Sequence, residues 1–151
     1  VPEIFVDADA CPVKDEVLRV AERYDLVVHL VSNAYLRFAM GHPLVRPVVV
    51  PEGPDKADDW IAERAGPADI VITSDIPLAA RCIANQARVL APNGKPFTEA
   101  SIGNVLATRN LMTHLREIGE ITSGPGSFGK NDRSRFLSAL DTMVQAAKRE
   151  G

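Results

Sequence analysis

An α/β fold, with a short and mostly parallel sheet covered by helices on both faces, is what this sequence predicts, and three observations predict it. Short apolar runs suited to strands buried on both faces alternate with stretches of helical periodicity. Twice, an apolar run stops at an aspartate and a proline then opens a helical stretch: Val6-Asp7 before Pro12, and Ile72-Thr73-Ser74-Asp75 before Pro77. Third, the 151 residues are 46% hydrophobic and 25% charged, the composition of an ordinary globular chain of about one domain, so residues 1–151 are read as a single domain.

Ile4, Phe5 and Val6 form the first strand, and Pro12 fits the first helical position, where its missing N–H costs nothing. Residues 12–24 then place Val13, Val17, Val20, Ala21 and Tyr24 on one helical face, with Lys14, Asp15, Glu16, Arg19 and Glu22 around the remaining surface. Residues 26–31 read as a second strand and 45–50 as a third, in which Pro47 points to a sheet edge. The segment between them, 32–43, is left unassigned. After the break Pro51-Glu52-Gly53-Pro54, Asp55 reads as an N-cap with Asp58 three positions on, opening a helix over 56–65.

Gly66-Pro67 ends that helix, 69–73 is the most strand-like segment of the middle of the chain, and Pro77 opens a helix running to about Asn85. Residues 87–90 form a fifth strand and Asn93-Gly94-Lys95-Pro96 a turn. Over 101–118 the apolar positions change face, from Ile102, Val105 and Leu106 to Leu111, Met112, Leu115 and Ile118. Residues 119–131 read as a glycine-rich loop, and Phe136, Leu137, Leu140, Val144 and Ala147 define a last amphipathic helix. Alternating strands and helices imply a parallel sheet with both faces covered.

Composition removes several function classes. No apolar run approaches the roughly 20 residues of a membrane span, so no membrane partner is expected. The chain opens directly into a strand, with no pattern of a secretory signal. Cys11 and Cys82 have no metal-type spacing and fit a reducing cytoplasm. A net charge of -3 argues against holding nucleic acid by bulk charge alone, while allowing a local basic rim. A homo-oligomer is compatible with the sequence, which identifies no protein partner.

The acidic residues carry the chemistry. Asp7 and Asp9 follow the first strand, Asp58 and Asp59 fall in the first turn of a helix, and Asp75 follows the 69–73 strand. In an open parallel sheet all can face the carboxyl ends of the strands, where ligands bind. Carboxylates brought close together need a compensating cation, and Mg²⁺ or Mn²⁺ is held by a few carboxylates plus waters. Such an ion polarises a phosphodiester and activates water for in-line attack. Each acid also has a plainer reading as a turn or cap residue. Helix geometry sets Asp58 on the flank of the face bearing Ala57, Trp60 and Ile61, so Asp58 is preferred as a ligand over Asp59.

The segments VDADACPVKDE at 6–16, DKADDWI at 55–61, ITSDIPLA at 72–79 and FGKNDRSRFLSALD at 128–141 resemble the bacterial YaiI/YqxD family of uncharacterised proteins, over nearly the whole chain. That family is grouped with PIN-like domains, mostly metal-dependent ribonucleases with a compact three-layer fold and an acidic pocket. The resemblance implies that Asp7 corresponds to the first-strand aspartate of such a site, Asp58 to the helical Asp of its D-x-x-I pattern, and Asp75 to the Asp of its T-x-D pattern. A PIN domain also carries an acid on an earlier helix, for which Asp15 and Glu16 are the candidates here.

Lys130, Arg133 and Arg135 beside the glycine-rich loop, with Arg37, Arg46 and Arg109, supply a basic rim that can position a phosphate backbone. Asp132 reads as the N-cap of the last helix. Ser74 and Thr73 can touch phosphate, but no base accompanies either, so a serine nucleophile is not expected. Cys11 reads as a small buried thiol, Trp60 as core, and the scattered His29, His42 and His114 receive no role.

The expectation is a cytoplasmic PIN-like, Mg²⁺- or Mn²⁺-dependent phosphodiesterase acting on RNA. Asp7, Asp58 and Asp75 hold metal, Asp9 is a second ligand or water-orienting base, Asp59 substitutes for Asp58, and Ser74, Lys130, Arg133 and Arg135 hold substrate. One alternative is a non-catalytic PIN-like module that binds RNA or protein. A haloacid-dehalogenase-like phosphatase, suggested by D-x-D after a strand, conflicts with the order of the later motifs.

Overall fold

The computed structural model describes residues 2–8, 11–33, 42–51, 56–101 and 129–150. Six strands form one sheet in the order β3-β2-β1-β4-β5-β6. They are β1 (Ile4–Asp7), β2 (Val28–Ser32), β3 (Val45–Val49), β4 (Ile70–Ile72), β5 (Arg88–Leu90) and β6 (Pro96–Phe97). All neighbours pair in parallel except β5 and β6. The described helices are α1 (Lys14–Tyr24), α2 (Lys56–Arg64), α3 (Ile76–Ala84) and α4 (Lys130–Glu150).

The alternation of β1 sorts the core into two layers. Ile4 and Val6 are fully buried and pack with Val17, Val20 and Ala21 of α1 and with Phe136, Leu140 and Val144 of α4. Phe5, between them in sequence, points to the other face and joins Ile61 of α2 with Leu78 and Cys82 of α3. Successive strand residues face opposite sides, and here both sides are apolar. The result is the three-layer α/β arrangement of a PIN-like domain, with α1 and α4 on one face and α2 and α3 on the other.

Several local expectations are refined. Pro12 lies in the turn before α1, and the helix starts at Lys14. Pro47 does mark a sheet edge, since β3 is the outermost strand on its side. The turn at Asn93 leads into the short β6, which folds back on β5 and was not foreseen. Asp132 is the third residue of α4 and accepts the Gly129 N–H at 3.1 Å, a reach back to a donor before the helix and not an N-cap. Trp60 is half-buried, its ring 6.0 Å from that of Phe5 and 5.8 Å from that of His29. The expectations for Asp9, Arg37, Arg109, the Asp55 cap, the 101–118 helix and most of the 119–131 loop lie outside the described residues.

Helices α1 and α4 run side by side in the same direction, since Arg133 meets Glu16 near their starts and Asp141 meets Tyr24 about two turns on. At the second contact the Tyr24 hydroxyl donates to Asp141 Oδ1 at 2.6 Å, Gln145 Nε2 donates to the same oxygen at 2.6 Å, and Arg23 lies 3.2 Å from Oδ2. The Tyr24 hydroxyl, ahead of Gln145 and Arg23, holds the Asp141 carboxyl below its ordinary value of 3.8. Further along the fold, Gly94 adopts φ +88, and a Cβ there would stand 3.0 Å from the backbone of Arg135 and Phe136.

Two outcomes follow from these contacts. Gly94→Ala is expected to destabilise the protein by roughly 2 kcal/mol in urea denaturation, because it adds strain at positive φ to a clash with helix backbone that cannot yield. A depressed folded pKa makes Asp141 stabilising above its unfolded value, with that contribution lost as pH falls through the folded value. Tyr24→Phe should therefore cost about 1 kcal/mol at pH 7 and distinctly less in the pH range below 3.8, as read by denaturation at both pH values.

Candidate functional site

Asp7 is the last residue of β1 and shares the face of Phe5. The chain passes from β1 to β2 and β3 on one side, then returns to place β4 on the other. The crevice beyond the carboxyl ends of β1 and β4 is therefore the topological switch point, the place where open α/β sheets bind ligands. Thr73, just past β4 and 2% exposed, bridges it. Its Oγ1 donates to Asp7 Oδ2 at 3.1 Å and accepts the Asp75 N–H at 3.0 Å. Because a hydroxyl carries one proton, the two bonds together fix the direction of donation onto Asp7.

Asp75 closes the chain of contacts. Its Oδ1 accepts the Leu78 N–H at 2.8 Å as the N-cap of α3, whose first turn contains Pro77. The cap satisfies a helix donor that would otherwise lack a partner and fixes one oxygen of the carboxylate. Asp7 at the end of β1 is thus joined through one buried threonine to the backbone of Asp75, in the turn after β4. Ser74, between Thr73 and Asp75, is exposed at the same edge.

The acids of α2 have other neighbours. Asp58 and Asp59 both lie in its first turn. Asp59 Oδ1 pairs with Arg81 Nη1 of α3 at 2.8 Å, with both side chains about half exposed. The charge of Asp58 acts on Arg81 and on the Cys82 thiol. So the contacts of Asp7 run to Thr73, while those of Asp59 run to the outer surface of α3. Among the described residues no group of three or more His, Cys, Asp or Glu side chains is placed to hold a metal ion.

The basic residues of α4 do not form one cluster. Lys130 is exposed at its first turn. Arg133 turns toward α1, where Nη1 donates to the Pro12 carbonyl at 2.8 Å and to Glu16 Oε1 at 3.1 Å. Arg135 points the other way, 3.8 Å from Asp132, and lines a groove of about 840 Å³ with Ile83, Val89, Phe97 and Met143. That groove is mostly apolar, and none of the candidate aspartates lines it. Helix periodicity explains the split, since residues two apart fall on opposite sides of a helix.

Lys14 and Glu16 are the residues at this edge that sequence reasoning placed only on a helix surface or as a spare acid. Lys14 Nζ donates to the Cys11 carbonyl at 2.8 Å, and Glu16 receives Arg133 from the far end of the chain. The first is a local contact across a three-residue spacing; the second has no local signal. Cys11 is buried, and burial pushes its thiol up; Cys82 is likewise pushed up to about 11 by burial. Both are protonated and poor nucleophiles at neutral pH.

No helix of the described residues is long and apolar enough to cross a membrane. The arrangement is an edge where the Asp7 carboxylate is tied through Thr73 to the backbone of Asp75, whose own carboxylate caps α3. It can attract a cation and, beside it, an anionic ligand.

Comparison with known proteins places the chain among bacterial relatives whose activity is uncharacterised. The profile of the "Uncharacterized BCR, YaiI/YqxD family" matches residues 5–146. A UPF0178 protein of Paramagnetospirillum magneticum is 63% identical over 97% of both chains, and one of Parvibaculum lavamentivorans is 62% identical over 97% of this chain and 96% of its own. A UPF0178 protein of Rhodopseudomonas palustris is 58% identical over 97% of this chain and 88% of its own. No solved structure matches significantly. With a profile spanning almost its full length and relatives this similar, the chain belongs to the YaiI/YqxD family, also called UPF0178.

Proposed function

We propose that the protein is a Mg²⁺- or Mn²⁺-dependent phosphodiesterase acting on RNA, centred on the crevice between β1 and β4. The observation that carries this reading is the pair Asp7, at the end of β1, and Asp75, in the turn after β4, with the buried Thr73 bonded to the carboxylate of the first and the backbone N–H of the second. The similarity of the motifs around them to PIN-like sites supports the same conclusion as an analogy.

The donor chemistry fits a hard divalent cation. The carboxylates offer oxygen donors, which suit Mg²⁺ or Mn²⁺. Mg²⁺ commonly takes one or two carboxylates and completes its shell with waters and substrate phosphate, so a pair of aspartates is a sufficient contribution from the protein. When bound, the cation neutralises charge on the phosphoryl group and makes a coordinated water more acidic.

In this reading Asp7 and Asp75 hold the cation, and Asp58 is a further ligand. Asp59 is the less suitable of the two, being paired with Arg81. Asp9, two residues beyond Asp7, takes the proton of the attacking water as the new P–O bond forms and the bond to the leaving oxygen breaks. Thr73 keeps Asp7 in one orientation, so that the carboxylate need not reorganise during the reaction. Ser74 and Lys130 contact substrate phosphate, and Arg133 does so from the first turns of α4. The opposite direction of Arg135 removes it from that group and leaves it to a more distant part of the chain.

Calorimetric titration with Mn²⁺ tests the reading directly. The wild-type protein should bind the ion stoichiometrically and cleave a labelled single-stranded RNA in its presence, and an Asp7→Asn, Asp75→Asn double variant should do neither. A wild-type protein that binds RNA tightly and cleaves it with neither Mg²⁺ nor Mn²⁺ would instead be a binding module. Thr73→Val should lower kcat by about tenfold with a smaller change in KM, since it removes one hydrogen bond to the carboxylate, whereas Thr73→Ser should retain most of the rate.

A further inference from the structure

The loop that leaves β1 is held by two cations drawn from different parts of the chain. Lys14 Nζ donates to the Cys11 carbonyl at 2.8 Å, and Arg133 Nη1 donates to the next carbonyl, that of Pro12, also at 2.8 Å. Arg133 lies 121 positions from Pro12 in sequence. Its Nη1 is also 3.1 Å from Glu16 Oε1, in a pair whose carboxylate is 14% exposed and whose guanidinium is 41% exposed. Glu16 is thus a mostly buried anchor, and Arg133 keeps a face toward solvent.

The same turn lies close to the acids of the crevice. The Cys11 thiol, raised chiefly by its burial, also feels the charges of Lys14, Asp7 and Glu16. One sulfur therefore stands within range of a crevice carboxylate, a loop cation and the anchor of the second cation. A backbone carbonyl needs only a neutral donor for satisfaction. Two positive side chains brought to successive carbonyls make this edge locally cationic, with Glu16 pairing Arg133 on one side. A guanidinium supplies a planar fork suited to phosphate oxygens, and an ammonium a compact charge beside it.

We propose that Lys14 and Arg133 form a two-cation seat for a phosphodiester of the RNA strand, next along from the one in the β1–β4 crevice, and that Glu16 is the positioning residue that aims Arg133. This rests on the phosphodiesterase reading for its substrate, but its binding step requires no metal. The seat fixes the register of the strand, and so which phosphate reaches Asp7 and Asp75.

The test is fluorescence anisotropy of a labelled single-stranded oligouridylate on the full chain in EDTA, across a salt series, with a thermal melt of every variant. Lys14→Gln and Arg133→Gln should each weaken binding by about tenfold and reduce the slope of log affinity against log salt by about one. Glu16→Gln separates positioning from bulk charge. Removing an anion from an RNA-binding edge should tighten binding if only net charge matters, whereas loss of the anchor for Arg133 should weaken it severalfold. If Arg133→Gln fails to fold, Arg133→Lys keeps the charge without the fork and should lose affinity while retaining the salt slope. Unchanged affinity in the Lys14 and Arg133 variants, or tighter binding in Glu16→Gln, overturns the seat. RNA cleavage that persists in Mn²⁺ with those affinities unchanged sinks the seat and spares the phosphodiesterase. Binding that depends on the seat without any cleavage does the reverse.

Discussion

The hydrogen bond from Thr73 to Asp7 joins the two halves of the sheet where they part. β1 is paired on both sides and buried on both faces, so a carboxylate is tolerated on it only at its exposed end. There the chain has already turned away toward α1, and β4 arrives from a separate crossover. The parallel ladder sets the register of β1 and β4, and a single buried hydroxyl, directed by the Asp75 N–H, ties the end of β1 to the turn after β4. Everything proposed for the crevice depends on that link. It makes Asp7 and the turn at Asp75 parts of one polar unit, although α1, β2, β3, α2 and β4 lie between them in sequence.

A second dependence lies on the other side of the sheet. α1 follows β1 directly, and α4 arrives from the end of the chain to lie alongside it in the same direction. Phe136, Leu140 and Val144 bury the contact, while Tyr24, Asp141 and Gln145 fix its register. Because that register is fixed two turns below the sheet edge, Arg133 is delivered to Pro12 and Glu16. The apolar seam and the polar lock thus determine where a cation stands relative to the crevice, and neither contributes a group to the chemistry.

Much of this was legible in the sequence, for identifiable reasons. The strand ends at Asp7 and Asp75 could be read because an apolar run, an acid and a proline are local signals, and β1 and β4 carry them in a few residues each. Pro47 announced an edge through its missing donor. The preference for Asp58 over Asp59 came from helix geometry, while the Asp59–Arg81 pair is a contact between α2 and α3 that has no local signal. What escaped was nonlocal. The grouping of Lys130, Arg133 and Arg135 assumed that neighbours in sequence share a surface, whereas α4 sends Arg133 to α1 and Arg135 to the groove beside β6. The pairing of Glu16 with Arg133, and the role of Thr73 as a link more than a phosphate contact, depend on which elements the fold brings together. β6 was missed because two residues give no periodicity to read.

Both outer strands of the sheet carry a proline: Pro47 in β3 and Pro96 in β6. A strand with exposed edge groups is a template on which another chain can add by hydrogen bonding, and a proline removes a donor from that template. Arg46 and the very short length of β6 work in the same direction. The molecule is therefore poorly suited to strand addition at either margin, which guards a mostly parallel sheet against fibrillar edge-to-edge stacking. Among the described residues, a macromolecule that recognises this protein meets side chains, on the helices or at the carboxyl rim, more readily than strand backbone open to pairing.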